Sequence, residues 1–264
     1  PAPFNVKNIP YRPKKYLTIG KGSFNAGDMV MVLGTPYRTS RYTTARQLKQ
    51  QLDWFYPLRV SLFAEWVRTL EKLALERSDA RIPVQTWIKR LHNGLTNSRG
   101  QITGIRRNRL IARKEREEQA WKKWVQAQKG VKPSWEKSLE ALDSYMGSAK
   151  GWKTHDLLLS YMLRGVSLMS FARTITKYAA EQKKPELERE KGYGTKDLPT
   201  LRERLKYAQR SFHLEADKRV LALFLRRLGK LPKAQQPSHL VKMLKGRFDE
   251  AALSAFIERL IKGS

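Results

Sequence analysis

Apolar positions recur with a period near 3.6 from about Ala45 onward, and this periodicity predicts a chain built of helices. Gln47 to Trp54 and Leu58 to Glu76 read as two helical pieces, with Pro57 a kink or a first-turn residue of the second. Leu58, Leu62, Trp66, Val67, Leu70 and Leu73 form a wide apolar face of the kind that core helices carry. Pro83 opens a long helix predicted to reach Gln128 with a break at Gly100 to Gly104, and its buried stripe is Val84, Trp87, Ile88, Leu91 and Leu95. After the Gly130 and Pro133 joint, Trp135 to Met146 reads as a short helix. Leu157 to Ala180, opened by a Thr154 cap, is apolar on most sides and is expected to be central. Glu181 to Pro199 mixes charge with turn residues and is expected to be a mobile loop. A helix from Pro199 to Arg227 follows, then short helices at Pro237 to Lys245 and Phe248 to Lys262, with Gly246 placed as a cap between them.

The first 44 residues follow another rule. Tyr16 to Ile19 and Met29 to Leu33 are short β-rich or apolar runs, and Gly20, Gly22, Asn25, Gly27 and Asp28 between them supply turn chemistry. Gly34-Thr35-Pro36 ends the second run, because a proline cannot donate to a strand ladder. An isolated hairpin is marginal in water, so these strands need a sheet that the helices cannot provide. The fold class expected is mainly α with a short β segment at the N-terminus, divided into a β segment at 1–44 and a helical domain at 45–264.

Composition adds limits. At 264 residues and 41% hydrophobic the chain can bury a sizeable core. Zero cysteines exclude disulfides and thiol chemistry without fixing the compartment. No window reaches the roughly 18 apolar residues of a membrane span. The 53 Lys and Arg against 24 Asp and Glu give a net charge of +29, a field that attracts polyanions whatever the fold. Nucleic-acid binding is therefore the rival reading. It would make Arg106, Arg107, Arg109, Arg113, Lys114, Arg116, Lys122 and Lys123 a phosphate track with Trp121 and Trp124 as stacking surfaces. Leu110, Ile111, Trp121, Trp124 and Val125 also fall near one helical stripe, and the reading preferred makes the tryptophans core anchors and the charges a solvated face.

One constellation could carry chemistry. Asn93, Asn97, Gly100 and Gly104 project together about 160–200° from the buried stripe of their helix if helix continues. Such a face, polar yet uncharged in so basic a chain, could accept hydrogen bonds, and its glycines would let another backbone come close. The plainer alternative is ordinary surface or helix-break asparagines. His92, His155, His213 and His239 all fall in segments that read as helix, and no Gly-x-Ser-x-Gly or Gly-Asp-Ser-Gly nucleophile turn occurs. Thr154, His155 and Asp156 read as a capping cluster, His213 lacks a partner at metal-ligand spacing, and Asp217-Lys218-Arg219 reads as an ion-paired helical segment.

Ile9 to Lys14, Gly27-Asp28, and Gly34 to Tyr42, followed in order by Asn97 to Gln101, Asp217 to Leu221 and Lys245-Gly246, resemble the bacterial serine-type dipeptidyl peptidases of the dipeptidyl peptidase seven and eleven group. Tyr37 departs from the glycine usual there, which puts the local turn in doubt. The resemblance implies a chymotrypsin-like double β-barrel with a His, Asp, Ser triad and a helical domain inserted between the Asp and the Ser. This chain would supply the helical lid, with residues 1–44 the edge of the barrel and the triad outside it, so it reads as a fragment or an excised domain that is inactive by itself. The resemblance also implies an asparagine that binds the free α-amino group of the substrate; ungapped placement puts it at Asn93, with Asn97 the fallback. No catalytic residue, metal or cofactor is expected within the chain. The partners expected are a peptide with a free N-terminus, the catalytic barrel of the same polypeptide and, as a candidate assembly, a homodimer; nucleic acid belongs to the rival reading. The location implied is periplasmic or secreted.

Overall fold

The structure is a computed structural model that describes residues 6–20, 22–31, 34, 42–128, 137–138, 141, 144–145 and 152–263. The chain divides into two compact units, Pro1–Arg41 and Tyr42–Ser264.

The first unit corrects the expected fold class. Among its described residues there is no strand, and residues 6–20 and 22–31 are all exposed. The expected turn does form: the Asp28 amide donates to the Asn25 carbonyl at 3.2 Å, the Asn25 amide to Asp28 Oδ2 at 2.7 Å, and Gly27 takes a φ of +104°. The runs on either side do not pair, and Leu17, Ile19 and Met29 stand 87–96% exposed. A strand is defined by its neighbour, and the described residues offer these runs none. The predicted end of the second strand and the turn at Tyr37 lie outside the described residues.

The second unit is helical. Helix α1 (Ala45–Gln50) starts at a reciprocal capping box between Thr44 and Gln47. It runs through a π-helical turn, Gln51–Phe55, into α2 (Tyr56–Glu76). Pro57 lies just after that turn; a proline has no N–H and crowds the preceding carbonyls, and the wider turn accommodates it without ending the helix. Helix α3 (Arg81–Arg107) and α4 (Leu110–Ala127) follow, then α5 (Lys153–Gly165), α6 (Ser167–Glu181), α7 (Leu198–Gln209), α8 (Leu214–Gly229), α9 (Ser238–Met243) and α10 (Glu250–Lys262). The predicted helix Trp135 to Met146 and its Gly130–Pro133 joint fall largely outside the described residues.

The core forms where α2 and α8 cross, with α3 packed on α2 and with α5 and α10 packed on α8. Leu62, Trp66, Val67, Leu70 and Leu73 of α2 are buried, as the stripe predicts, while Leu58 is half-buried and Phe63, outside the predicted stripe, is buried as well. Trp66 is 2% exposed and stacks on Trp87 of α3 at 5.4 Å, while Phe224 of α8 meets its ring edge-on at 5.1 Å. A Cβ at Gly165, the last residue of α5, would lie 2.0 Å from the same indole, so only a glycine lets α5 approach.

Four expectations need correction. The helix of Leu157 to Ala180 is two helices, broken at Val166, whose backbone is extended (φ −98°, ψ 112°). Asp217 of α8 takes the amides of Ser167 (3.0 Å) and Leu168 (2.7 Å), so a carboxylate from elsewhere in the chain caps the restarting α6. Helix α6 is mostly half-buried, so only part of this segment is central. The helix of Pro199 to Arg227 likewise breaks at residues 210–213, where His213 Nδ1 accepts the Ala216 amide and starts α8. The break expected at Gly100 to Gly104 falls instead at Asn108–Arg109, with Arg109 in the left-handed region (φ 47°).

The loop from Glu181 to Pro199 is not the slack segment its composition suggests. Glu181 accepts Lys184 Nζ (2.7 Å) and the Glu190 amide (2.8 Å), Glu186 accepts both the amide and hydroxyl of Thr195, and Asp197 accepts the amides of Gly192 and Gly194. Three carboxylates thus close the loop on its own backbone. The Lys184 ammonium and the Glu190 amide hold Glu181 below the usual 4.5, and the Thr195 hydroxyl and amide do the same for Glu186.

Two outcomes test this packing. Gly165→Ala forces a methyl into the Trp66 ring and should cost about 2 kcal/mol or more in urea unfolding; a loss near zero would mean that α5 is free to move off the core. Because Glu181 and Glu186 titrate below their unfolded value, their contribution is complete above pH 4.5 and fades as the pH falls further. Amide protection in residues 183–195 should drop below that pH before protection in α2 and α8 does. Simultaneous loss would contradict the loop's dependence on these carboxylates.

Candidate functional site

Helix α3 is oriented by its inner face. Val84, Ile88, Leu91, Gly94, Leu95, Ser98 and Ile105 are buried, and a Cβ at Gly94 would stand 2.5 Å from the Phe63 ring of α2. That glycine sets how closely the two helices cross. Ser98 Oγ donates to the Gly94 carbonyl at 2.8 Å, so the one buried hydroxyl on this face is satisfied. With this seam fixed, the opposite face must point outward.

That outer face carries the predicted residues. Asn93 and Asn97 are both exposed, one turn apart, and neither side chain has a hydrogen-bond partner among the described residues. The chain beside them is pinned: His92 meets Glu71 Oε1 of α2 at 3.3 Å. Gly100 and Gly104 continue the face, and a Cβ at either would meet nothing within 4 Å. Because α3 does not break there, all four residues share one continuous helix. A shallow groove, widely open to solvent, runs along the second half and is lined by this helix and its end alone: Thr96, Arg99, Gly100, Thr103, Gly104, Arg107 and Asn108. Sequence reasoning missed Thr96 and Thr103, touched Arg99 only within the Asn97 to Gln101 block and put Arg107 only in the rival phosphate track, although their spacing from Asn93 and Gly100 at helical intervals carried the signal.

The inner glycine is explained by Phe63, whereas nothing among the described residues explains the outer pair. Each exposed mid-helix glycine costs about 1 kcal/mol against alanine. Chemically the face offers amide oxygens able to accept from an ammonium, amide hydrogens able to donate to a carbonyl, and a floor low enough for backbone to lie on.

Other candidates are structural. His213 caps α8 through Nδ1, which leaves its proton on Nε2, 3.4 Å from Asp79. Asp79 is held far below the usual carboxylate range, first by the Arg77 guanidinium and then by His213. Thr154 does not cap α5; its hydroxyl accepts from Trp54 Nε1 at 2.9 Å, while His155 contacts Asp156 at 2.9 Å. Lys218 pairs with Glu258, and Arg219 with Glu76 and Glu215, as an ion-paired segment should. Burial pushes the Asp217 carboxyl up, against the two backbone bonds that favour its charge. Trp121 and Trp124 are not core anchors: they are 39% and 54% exposed, and of their stripe only Val125 is buried. The described residues contain no group of three or more His, Asp or Glu able to hold a metal, and no described helix is long and apolar enough to cross a membrane.

Comparison with known proteins places these helices among the peptidases. The family profile of Peptidase S46 matches residues 1–264, and the chain belongs to that family. It is similar to an Asp/Glu-specific dipeptidyl-peptidase of Shewanella putrefaciens, with 28% identity over 221 residues, 83% of this chain and 29% of that protein. A dipeptidyl-peptidase 7 of Phocaeicola vulgatus is 26% identical over 144 residues, 54% of this chain and 20% of that protein. An Asp/Glu-specific dipeptidyl-peptidase of Porphyromonas endodontalis is 23% identical across 100% of this chain and 36% of its own length. The chain thus spans between about a fifth and just over a third of these relatives.

Gly100→Ala should raise the unfolding free energy by about 0.5–1 kcal/mol in urea titration, since the methyl enters open space and stiffens the unfolded chain. A loss of stability would mean that the outer face is covered from within the unit.

Proposed function

We propose that this chain is the helical cap of a serine-type dipeptidyl peptidase, covering the cleft in which dipeptides are released from the free N-terminus of a peptide. In this reading a serine activated by a histidine attacks the second peptide bond, and both groups belong to polypeptide outside this chain. What carries the reading is the outer face of α3, where Asn93 and Asn97 stand without partners among the described residues, beside two glycines at which a Cβ would meet nothing within 4 Å. An asparagine carbonyl accepts from the substrate ammonium without the desolvation cost of a buried carboxylate. A cap that leaves room for two residues, and whose acceptors need a free amine, rejects internal segments of a protein. His213 is committed at both ring nitrogens, and His92 and His155 contact carboxylates with no serine or threonine hydroxyl bonded to either ring among the described residues. A periplasmic or secreted setting completes the proposal.

The rival has one observation in its favour, the exposed Trp121 and Trp124 beside Lys122 and Lys123. It is weakened by the rest of α4, where Glu115, Glu117 and Glu118 interrupt the phosphate track and Glu117 already pairs with Arg113 and Lys114.

Dipeptide release should be measured with the longest natural polypeptide carrying this chain. Asn93→Ala should lower kcat/KM by about 10- to 100-fold, the loss of one hydrogen bond to a charged group, with the unfolding midpoint unchanged because the side chain is exposed. Asn97→Ala should have the smaller effect. Full activity in the double variant would remove α3 from the amine site.

A further inference from the structure

Helix α3 is the most one-sided element in charge. It carries Arg81, Lys89, Arg90, Arg99, Arg106 and Arg107 and not a single Asp or Glu. Several cations near the core are matched elsewhere: Arg227 binds Glu65, Arg219 binds Glu76, and Lys218 binds Glu258, while Arg59 lies over the Phe55 and Phe63 rings. Arg99 and Arg107, by contrast, have no ion-pair or hydrogen-bond partner among the described residues, and both line the α3 groove.

From this we infer that the groove binds an acidic stretch of extended peptide, held by the Arg99 and Arg107 guanidiniums at its two ends. The two arginines are eight residues apart, which is about 12 Å along the helix. An extended peptide covers that distance in three to four residues, so two carboxylates at that spacing reach both guanidiniums. Between them the floor is Gly100 and Gly104, where a Cβ would meet nothing within 4 Å, and Thr103, with Thr96 a turn before Gly100, stands along one side of it. That floor admits a peptide backbone, and the threonine hydroxyls can bond its amides. No lining residue is aromatic, so the groove lacks the stacking surface that single-stranded nucleic acid uses. This inference takes from the proposed function only that the partner is a peptide; direct binding tests it without any turnover.

The test is fluorescence anisotropy with the 264-residue chain at about 0.15 M salt, where long-range attraction is screened. The probes are a labelled decapeptide of alternating glutamate and serine, the same peptide with glutamine for glutamate, and a ten-nucleotide oligodeoxythymidylate. The glutamate peptide should bind and the glutamine peptide should not. Arg99→Gln with Arg107→Gln should weaken binding about tenfold or more, whereas Arg202→Gln with Arg204→Gln, the same charge change on exposed α7, should alter it less than about twofold. Gly104→Leu keeps the charge and fills the floor, and it should weaken binding as the arginine pair does. Equal losses from both arginine pairs, or an unaffected Gly104→Leu, would show a diffuse field and overturn the site. Tighter binding of the oligonucleotide through Arg99 and Arg107 would overturn the choice of peptide. Full dipeptide release in the Asn93→Ala, Asn97→Ala double variant with this binding intact would count against the proposed function and leave the groove standing.

Discussion

The indole of Trp66 is the point on which the helical unit turns. It is contributed by α2, stacked on Trp87 of α3, capped edge-on by Phe224 of α8 and approached by Gly165 of α5. Four helices therefore share one rigid, large apolar surface, and none can rotate without opening a gap against it. The constraint passes outward through α3. Trp87 and the Phe63–Gly94 crossing lock its inner face, and that lock decides that Asn93, Asn97, Gly100 and Gly104 look away from the core.

Charge is distributed by a second rule. The chain has fewer than half as many acids as bases, and many of the acids serve as internal fasteners. Asp217 caps α6 from α8, Glu118 takes the Ala45 amide at the start of α1, Glu65 holds Arg227, and Glu181, Glu186 and Asp197 close the loop after α6. Acids used in this way do not neutralise the outside. The surplus positive charge is left on exposed helix faces, most completely on α3. A basic surface here is thus a by-product of where the carboxylates are needed as well as a feature for a partner to read.

Much of this was legible without coordinates. The stripes of α2 and α3 are buried as the period of 3.6 demands, because Leu62, Trp66, Leu70 and Leu73, or Val84, Ile88, Leu91 and Leu95, are apolar at every turn and flanked by charge. The shared face of Asn93 and Asn97 followed from the same arithmetic. Legibility failed where a partner distant in sequence decides. Val166 breaks a strongly apolar helix because Asp217, some fifty residues later, is there to cap the restart. Tyr16 to Ile19 reads as a strand by propensity but has no pairing neighbour among the described residues. Trp121 and Trp124 fall on a helical stripe, yet both stay exposed among the described residues.

By itself the sequence determined that most of the described chain after Ala45 is helical, which face of α2 and α3 is apolar, the turn at Asn25 to Asp28, and kinship with a peptidase family. These are local or additive properties, summed residue by residue along the chain. The tertiary structure decided which glycine faces a phenylalanine and which faces open space, where two apolar helices are cut, and which arginines find a carboxylate. Those outcomes depend on pairs of residues brought together only when the helices close around Trp66, and no window along the chain contains both members.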